Sequence, residues 1–221
     1  MRRDYERVRQ IFLSGGQRGN PLRTYVDDET LALRVLVDYY LRRARTSCFV
    51  AESAGTVVAV LLGTGDTRAY LRYMAVRVAP SLIARVVLKT LTGQYSHKTF
   101  QVIRWALLRS WREVPSVDLR RYPAHLHLSV AAGSRGARVG REILWRFFRH
   151  CTEAGLPGVH GFGIEEWRRH GFAGALGFVE SAAKRTTLWR HISHRDWAFK
   201  LLTMDLRPLR ARWPPLVPLV D

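Results

Sequence analysis

The stretch from His125 to Phe148 carries the residues whose types and order could do chemistry. HLHLSVAA alternates like a strand, GSRGARVG is rich in small residues, and REILWRFF begins a pattern of helical period. A turn between a strand and a helix leaves several backbone amides without partners, with the positive end of the helix dipole behind them. Such a turn is a cradle for phosphate. Gly136 and Gly140 lack the Cβ that would hold an anion away from the backbone, and Arg135 and Arg138 supply charge that pairs with phosphate oxygens. His125 and His127 fall on one face of the predicted strand. Imidazole titrates near neutrality, so His127 is a candidate general base. Glu52 and His160, on other predicted strands, are further candidates, whereas Cys151 falls inside a predicted helix and reads as core.

The elements that must position these groups follow from hydrophobic period and punctuation. Asp4 to Leu13 reads as a helix, stopped by Ser14-Gly15-Gly16. Asp28 or Thr30 can cap a second helix with Leu31, Val35, Leu36 and Tyr39 on its apolar stripe. Ser47 to Glu52 and Thr56 to Gly63, joined by Ser53-Ala54-Gly55, predict a β-hairpin. From about 66 to 121 the character changes. Pro80 suits the first turn of a helix running to about Leu91. Thr99 to Arg112 predicts another helix, with Phe100, Ile103, Leu107 and Trp111 on one stripe. Both are basic on their other faces, and both read as an insertion whose apolar stripes cover the cleft or sheet. Beyond it come a strand (Ala124 to Ala131), a helix (Val139 to Ala154) and a strand (Gly158 to Ile164). A helix (Glu165 to Leu176) and strands over Phe178 to Trp189 and Trp197 to Leu206 follow. One domain over 1–206 is expected, with a proline-rich tail over 207–221.

Composition bounds the alternatives. The hydrophobic fraction of 47% and charged fraction of 24% are ordinary for a globular chain and argue against disorder. The net charge of +18 favours anionic partners. Only four of the 36 basic residues are lysine, a skew that genome composition can produce, and the charge is spread along the chain without a dense tract. No specific nucleic-acid binding is therefore expected. Two isolated cysteines give neither a disulfide framework nor a zinc site, so no metal is expected, and a cytoplasmic location fits them. MRRDYERVRQ has no apolar h-region, and Met74 to Leu91 is interrupted by Arg77, Arg85 and Lys89, so no spanning helix is expected. Contact of the basic insertion with an anionic membrane surface stays open.

The pattern Val130-x-x-x-x-Arg135-Gly136-x-x-Val139-Gly140 resembles the acetyl-CoA pyrophosphate loop of the GNAT acetyltransferases. YPAHLHLSV, GLPGVHGFG, LGF, CFVAE and GTGDTRAY extend the similarity over most of the chain. They resemble a bacterial subgroup related to the acetyltransferase-like domain of O-GlcNAcases. The resemblance implies an α/β (α+β) fold: a mixed, mostly antiparallel twisted sheet flanked by helices, with a helical insertion between the third and fourth strands. It also implies a V-shaped cleft beside the strand carrying Val130, with acetyl-CoA as co-substrate. The Val130 amide would meet the acetyl carbonyl, and Arg135, Gly136, Ala137, Arg138, Val139 and Gly140 would hold the pyrophosphate. The acceptor would be the amine of a small molecule or peptide.

The chain departs from the family pattern at several places. Ala132 stands for the usual proline and Arg138 for the first glycine of G-x-G. The first strand of the family is short or missing. Glu166 stands near the usual asparagine and reads, with Glu165, as complementing a helix N-terminus. Ala173 occupies the place of the tyrosine that protonates the departing thiolate, a role worth about 10²–10⁴-fold in rate. Two functions follow as expectations: an acyl-CoA-dependent N-acetyltransferase with His127 or Glu52 as base, or a catalytically inactive relative kept as a binding or interaction module.

Overall fold

The computed structural model describes residues 5–14, 21–134, 137–167, 174 and 176–211. Arg135, Gly136 and Ala173 lie outside the described residues, as does the tail beyond Ala211.

A six-stranded sheet organises the chain: β1 (Cys48–Ser53), β2 (Thr56–Thr64), β3 (Ala124–Val130), β4 (Gly158–Glu166), β5 (Val179–Thr186) and β6 (Trp197–Asp205), in the order β1-β2-β3-β4-β6-β5. Every neighbouring pair is antiparallel except β3 with β4. The β1–β2 hairpin turns on Ala54 and Gly55, whose φ angles of 48° and 69° are both left-handed, as a tight two-residue turn between twisted strands requires. Among the described residues the sheet has no strand ahead of this hairpin, so the helical insertion falls between β2 and β3.

Helices cover both faces. On one side α8 (Ala137–Glu153) buries Ile143, Leu144, Phe147, Phe148 and Cys151 against Leu61, Leu126 and Val159. Gly63 permits that approach: a Cβ there would stand 2.3 Å from the ring of Phe147. On the other side α1 (Tyr5–Ser14), α2 (Glu29–Leu36) and α3 (Asp38–Arg43) bury Val8, Ile11, Leu33, Val37 and Tyr40 against Val57, Val60 and Leu62. Asp28 caps α2, its carboxylate accepting from the Leu31 amide at 3.1 Å. Of the expected stripe through Leu31, Val35, Leu36 and Tyr39, Tyr39 is buried and Leu31 and Leu36 pack only at the edges of the core. The helix breaks at Val37 (φ −128°), which changes the phase and turns Ala32, Leu33, Val37 and Tyr40 inward beside Tyr39.

The insertion comprises α4 (Thr67–Tyr73), a π-helical turn (Met74–Val78), α5 (Ala79–Leu91), α6 (His97–Leu108) and α7 (Ser110–Glu113). Pro80 stands in the first turn of α5, which ends at Leu91 as expected, but α5 continues a helical path already under way. The helical path runs from Thr67 to Leu91, and the widened π turn immediately ahead relieves the clash a proline ring makes with the preceding turn. The expected covering stripe of α6 is also corrected. Ile103 is buried, but Phe100, Leu107 and Trp111 face outward. The face turned to the sheet carries Val102 and Trp105, whose indole stacks on Phe199 at 5.5 Å. Glu113 fixes this contact by accepting from the Trp105 indole at 2.6 Å and the Thr187 amide at 2.7 Å.

Candidate active site

The sheet opens where β3 meets β4. These parallel strands pair only at Ala124 with Val159 and His125 with His160. Beyond that point β3 stays paired with β2 as far as Val130, and β4 with β6 as far as Glu166. The two strands therefore part, leaving a V-shaped gap in the sheet.

Ladder alternation determines which backbone groups face the gap. The Ala131 amide donates to Val58 at 2.8 Å, so the odd-numbered residues of β3 exchange hydrogen bonds with β2. Leu126, Leu128 and Val130 consequently direct their N–H and C=O groups the other way, toward the gap. The same register brings Leu126 O within 3.7 Å of a Cβ built on Gly161 of β4. Two backbone hydrogen bonds, Ala131 to Val58 and Ser134 to Ala131, lead the chain from the gap's mouth into a short 3-10 turn (Ala132–Ser134) ahead of α8. Of the expected cradle, Ala137 begins α8, Arg138 is exposed, Val139 packs against the core and Gly140 is buried in the first turns.

Side chains on the opposite face from α8 line the foot of the V. His125 is fully engaged. Thr67 donates its hydroxyl proton to Pro123 O at 2.6 Å, so its oxygen must accept from His125 Nδ1 at 2.7 Å. His125 Nε2 then accepts from the Tyr40 hydroxyl at 2.6 Å. Burial, reinforced by His127 and His160 nearby, pushes its pKa well below the ordinary value and keeps the ring neutral. His127 is half-buried, edge-on to Tyr40, and pushed down to about 4 by burial and then by His160. His160 holds Tyr122 O at 2.8 Å, and burial outweighs that bond to lower its pKa. The next residue on this face of β4, Phe162, is 39% exposed in the opening. Further along, Ile164 joins Trp105 of α6, so the insertion covers the β4–β6 half of this face.

Glu52 is not brought to this group. It is exposed at the end of β1, paired with Val57 and two strands away from β3, about 10 Å across the sheet. Cys151 and Cys48 are buried, and burial pushes their thiols up to about 12 and about 11, so neither is a thiolate nucleophile. Glu165 and Glu166 do not cap a helix: β4 runs through both, opposite Ala198 and Trp197, and Glu166 pairs with Arg195. Their strand pairing, which the acidic pair disguised, extends one wall of the V. Tyr40, Thr67 and Phe162 escaped the sequence reading. Thr67 had a local signal, since Asp66 caps α4 by accepting from the Ala69 amide at 2.9 Å, which places Thr67 in the first turn.

No family model matches the chain. Solved structures do match its fold. The crystal structure of SsHAT superposes with a TM-score of 0.66 at 22% identity, covering 93% of this chain and 95% of that one. An N-acetyltransferase from Staphylococcus aureus Mu50 gives 0.51 at 11% identity, over 94% and 95% of the two chains. YncA, a candidate acetyltransferase from Salmonella typhimurium solved with its cofactor acetyl-CoA, gives 0.50 at 13%, over 93% and 90%. Over nearly its whole length the chain has the fold of the GNAT N-acetyltransferases.

Proposed function

We propose that this protein is an acyl-CoA-dependent N-acetyltransferase that moves an acetyl group from acetyl-CoA directly to a primary amine in a ternary complex. The observation that carries the reading is the parting of β3 from β4 after His125 and His160, which aims the Val130 amide into a gap that leads to the amino end of α8. The V fits an extended thioester arm, and the helix amino end fits its pyrophosphate. Arg135, Gly136, Ala137, Arg138, Val139 and Gly140 are assigned to the pyrophosphate, and Val130 to the carbonyl oxygen. Acetyl-CoA supplies the activated acyl carbon. A positioned backbone donor that strengthens as the oxyanion develops is worth about 10²–10³ in rate.

The amine is assigned to the face carrying His127 and Phe162, beneath the insertion. Its nitrogen forms the new bond to the carbonyl carbon, the carbon–sulfur bond breaks, and the thiol leaves with a proton taken from the amine. His127, neutral at physiological pH, is assigned as an acceptor that orients the amine. A pKa of about 4 makes it a weak base, so the amine must arrive uncharged. The same low pKa, with Ala173 in place of the family's tyrosine, favours the second reading of an inactive binding module. A thiol-release assay over primary amines, amino sugars, polyamines and peptides separates the two. Acetyl-CoA consumption with at least one amine supports the enzyme, and none with coenzyme bound contradicts it.

A further inference from the structure

The insertion is built inside out. Along α5, Ile83, Val87, Leu88 and Leu91 are all exposed, Leu91 at 81%, and the helix has no buried residue. The inner face is held by charge instead: Arg85 and Lys89 reach Asp28 at 2.8 and 3.2 Å. On α6 and α7 the outward face carries Phe100, Leu107 and Leu108 with Trp111, at 67% exposure. The neighbouring Arg112 lies over the Trp111 ring at 4.4 Å. Asp27 and Asp28 tie both helices to the same corner of the fold, Asp27 through Lys98, Ser96 and Thr99. An apolar surface of this kind on a globular chain is a contact surface.

Charge identifies what it contacts. Between Asp66 and Glu113 the chain holds nine arginines and lysines and not one acidic residue. Arg85, Lys89, Lys98 and Arg109 pair with Asp28, Asp27 and Glu113, which leaves Arg68, Arg72, Arg77, Arg104 and Arg112 to set the charge of the face. Two copies of such a face repel each other, whereas an occupant that is apolar in its interior and anionic at its border complements it. A pocket of about 400 Å³ opens beside Val76, at the near end of the stripe, and is lined by Arg43, Arg72, Arg77, Tyr39 and Tyr73. Its lining is mainly apolar, with the three arginines at its border and Arg43 lying over the Tyr73 ring at 5.5 Å. Among the described residues no helix is long and apolar enough to cross a membrane, so these helices can lie on a bilayer but not span it.

We propose that α5, α6 and α7 seat the protein on an anionic phospholipid surface, with Ile83, Val87, Leu91 and Trp111 entering the acyl boundary and Arg72 and Arg77 taking headgroup phosphates. Interfacial helices with basic borders bind in this way, and tryptophan favours the headgroup level. The seating acts independently of the acetyltransferase reading.

Vesicle co-sedimentation tests it at about 0.15 M salt, where exposed charges are screened beyond about 8 Å. Phosphatidylcholine vesicles are compared with phosphatidylcholine–phosphatidylglycerol vesicles for the wild type, Ile83→Ser/Val87→Ser/Leu91→Ser and Arg72→Ala/Arg77→Ala. The wild type binds the mixed vesicles, and either variant binds them at least about tenfold more weakly, with an unchanged melting curve. Failure of the wild type to bind overturns the proposal. So does serine-variant binding equal to wild type, which would leave only electrostatic adsorption. A dimer in light scattering that the serine variant dissolves, without vesicle binding, overturns it in favour of a second copy. Serine-sensitive capture by polyglutamate, again without vesicle binding, overturns it in favour of an acidic protein.

Discussion

Replacing Asp28 tests how the insertion is held. This carboxylate is 4% exposed and accepts from Arg85 at 2.8 and 2.9 Å, from Tyr95 at 3.2 Å and from the Leu31 amide at 3.1 Å. Burial alone would raise its pKa. The Arg85 bonds, the Leu31 amide and Lys89 together overcome that and hold it well below the usual carboxylate range. Breaking a fully buried ion pair costs about 3–5 kcal/mol. The side chains of Arg85 and Lys89 are 31% and 24% exposed, so they can turn to water once released, and we expect a smaller cost. Asp28→Asn keeps the cap oxygen and should cost about 2 kcal/mol. Asp28→Ala also loses the cap, worth about 1 kcal/mol, and should cost about 3 in all. For a chain of this size that total lowers Tm by about 6–12 °C. The depressed pKa adds a sign: this stabilisation is present above the ordinary carboxyl value of 3.8 and lost as pH falls below it, so the gap between wild type and Asp28→Asn narrows in acid. Urea denaturation at neutral pH and at pH values below that point measures both effects. A cost under about 0.5 kcal/mol for Asp28→Ala, the range of an ordinary surface change, would refute the reasoning.

Three further outcomes are expected. Tyr40→Phe strands the buried Nε2 of His125 and should cost about 1–3 kcal/mol in urea denaturation; an unchanged midpoint would mean the bond is dispensable. His125 is neutral when folded and protonates when unfolded, so stability falls as pH drops below the ordinary histidine value of 6.5. In His125→Asn that slope should be shallower by up to about 1.4 kcal/mol per pH unit, and equal slopes would place the titration elsewhere. With both cysteines buried and their thiols pushed up to about 11 and about 12, a thiol reagent at pH 8 should label the native protein far more slowly than the denatured one. Fast labelling of either would contradict their place in the core.

Much of this architecture was legible in the residues, for identifiable reasons. The β1–β2 hairpin announced itself by β-branched runs around Ala54-Gly55, and α8 by the strong period of REILWRFF. The mixed, mostly antiparallel sheet and the cleft beside the Val130 strand came from the resemblance, not from periodicity, because strand pairing depends on distant residues. Local reasoning failed where a pattern has two physical meanings. The stripe of Phe100, Leu107 and Trp111 specifies an apolar face without saying whether it turns inward, and Trp105 won the contact with the sheet. Glu165 and Glu166 resembled a helix start, but their pairing with Ala198 and Trp197 continues a strand. Pro80 does stand in the first turn of α5, but no local signal announced the π turn that joins α5 to α4 ahead of it. At the candidate site, the place of His127 was readable from strand alternation, and Val130 came from the resemblance. The bonds from Thr67 and Tyr40 that hold His125 were not, because they join residues 58 and 85 positions apart.

The central claim is that the gap beside Val130 and the amino end of α8 hold an acyl-CoA. Isothermal titration with acetyl-CoA and with free coenzyme A, on the wild type and on Gly140→Trp, tests it most directly. A melting curve establishes that the variant is folded, and Arg138→Glu, at an exposed position, supplies a second variant. The account predicts micromolar binding of both ligands to the wild type, abolished by Gly140→Trp and weakened by Arg138→Glu. No heat from either ligand with the folded wild-type protein would contradict it.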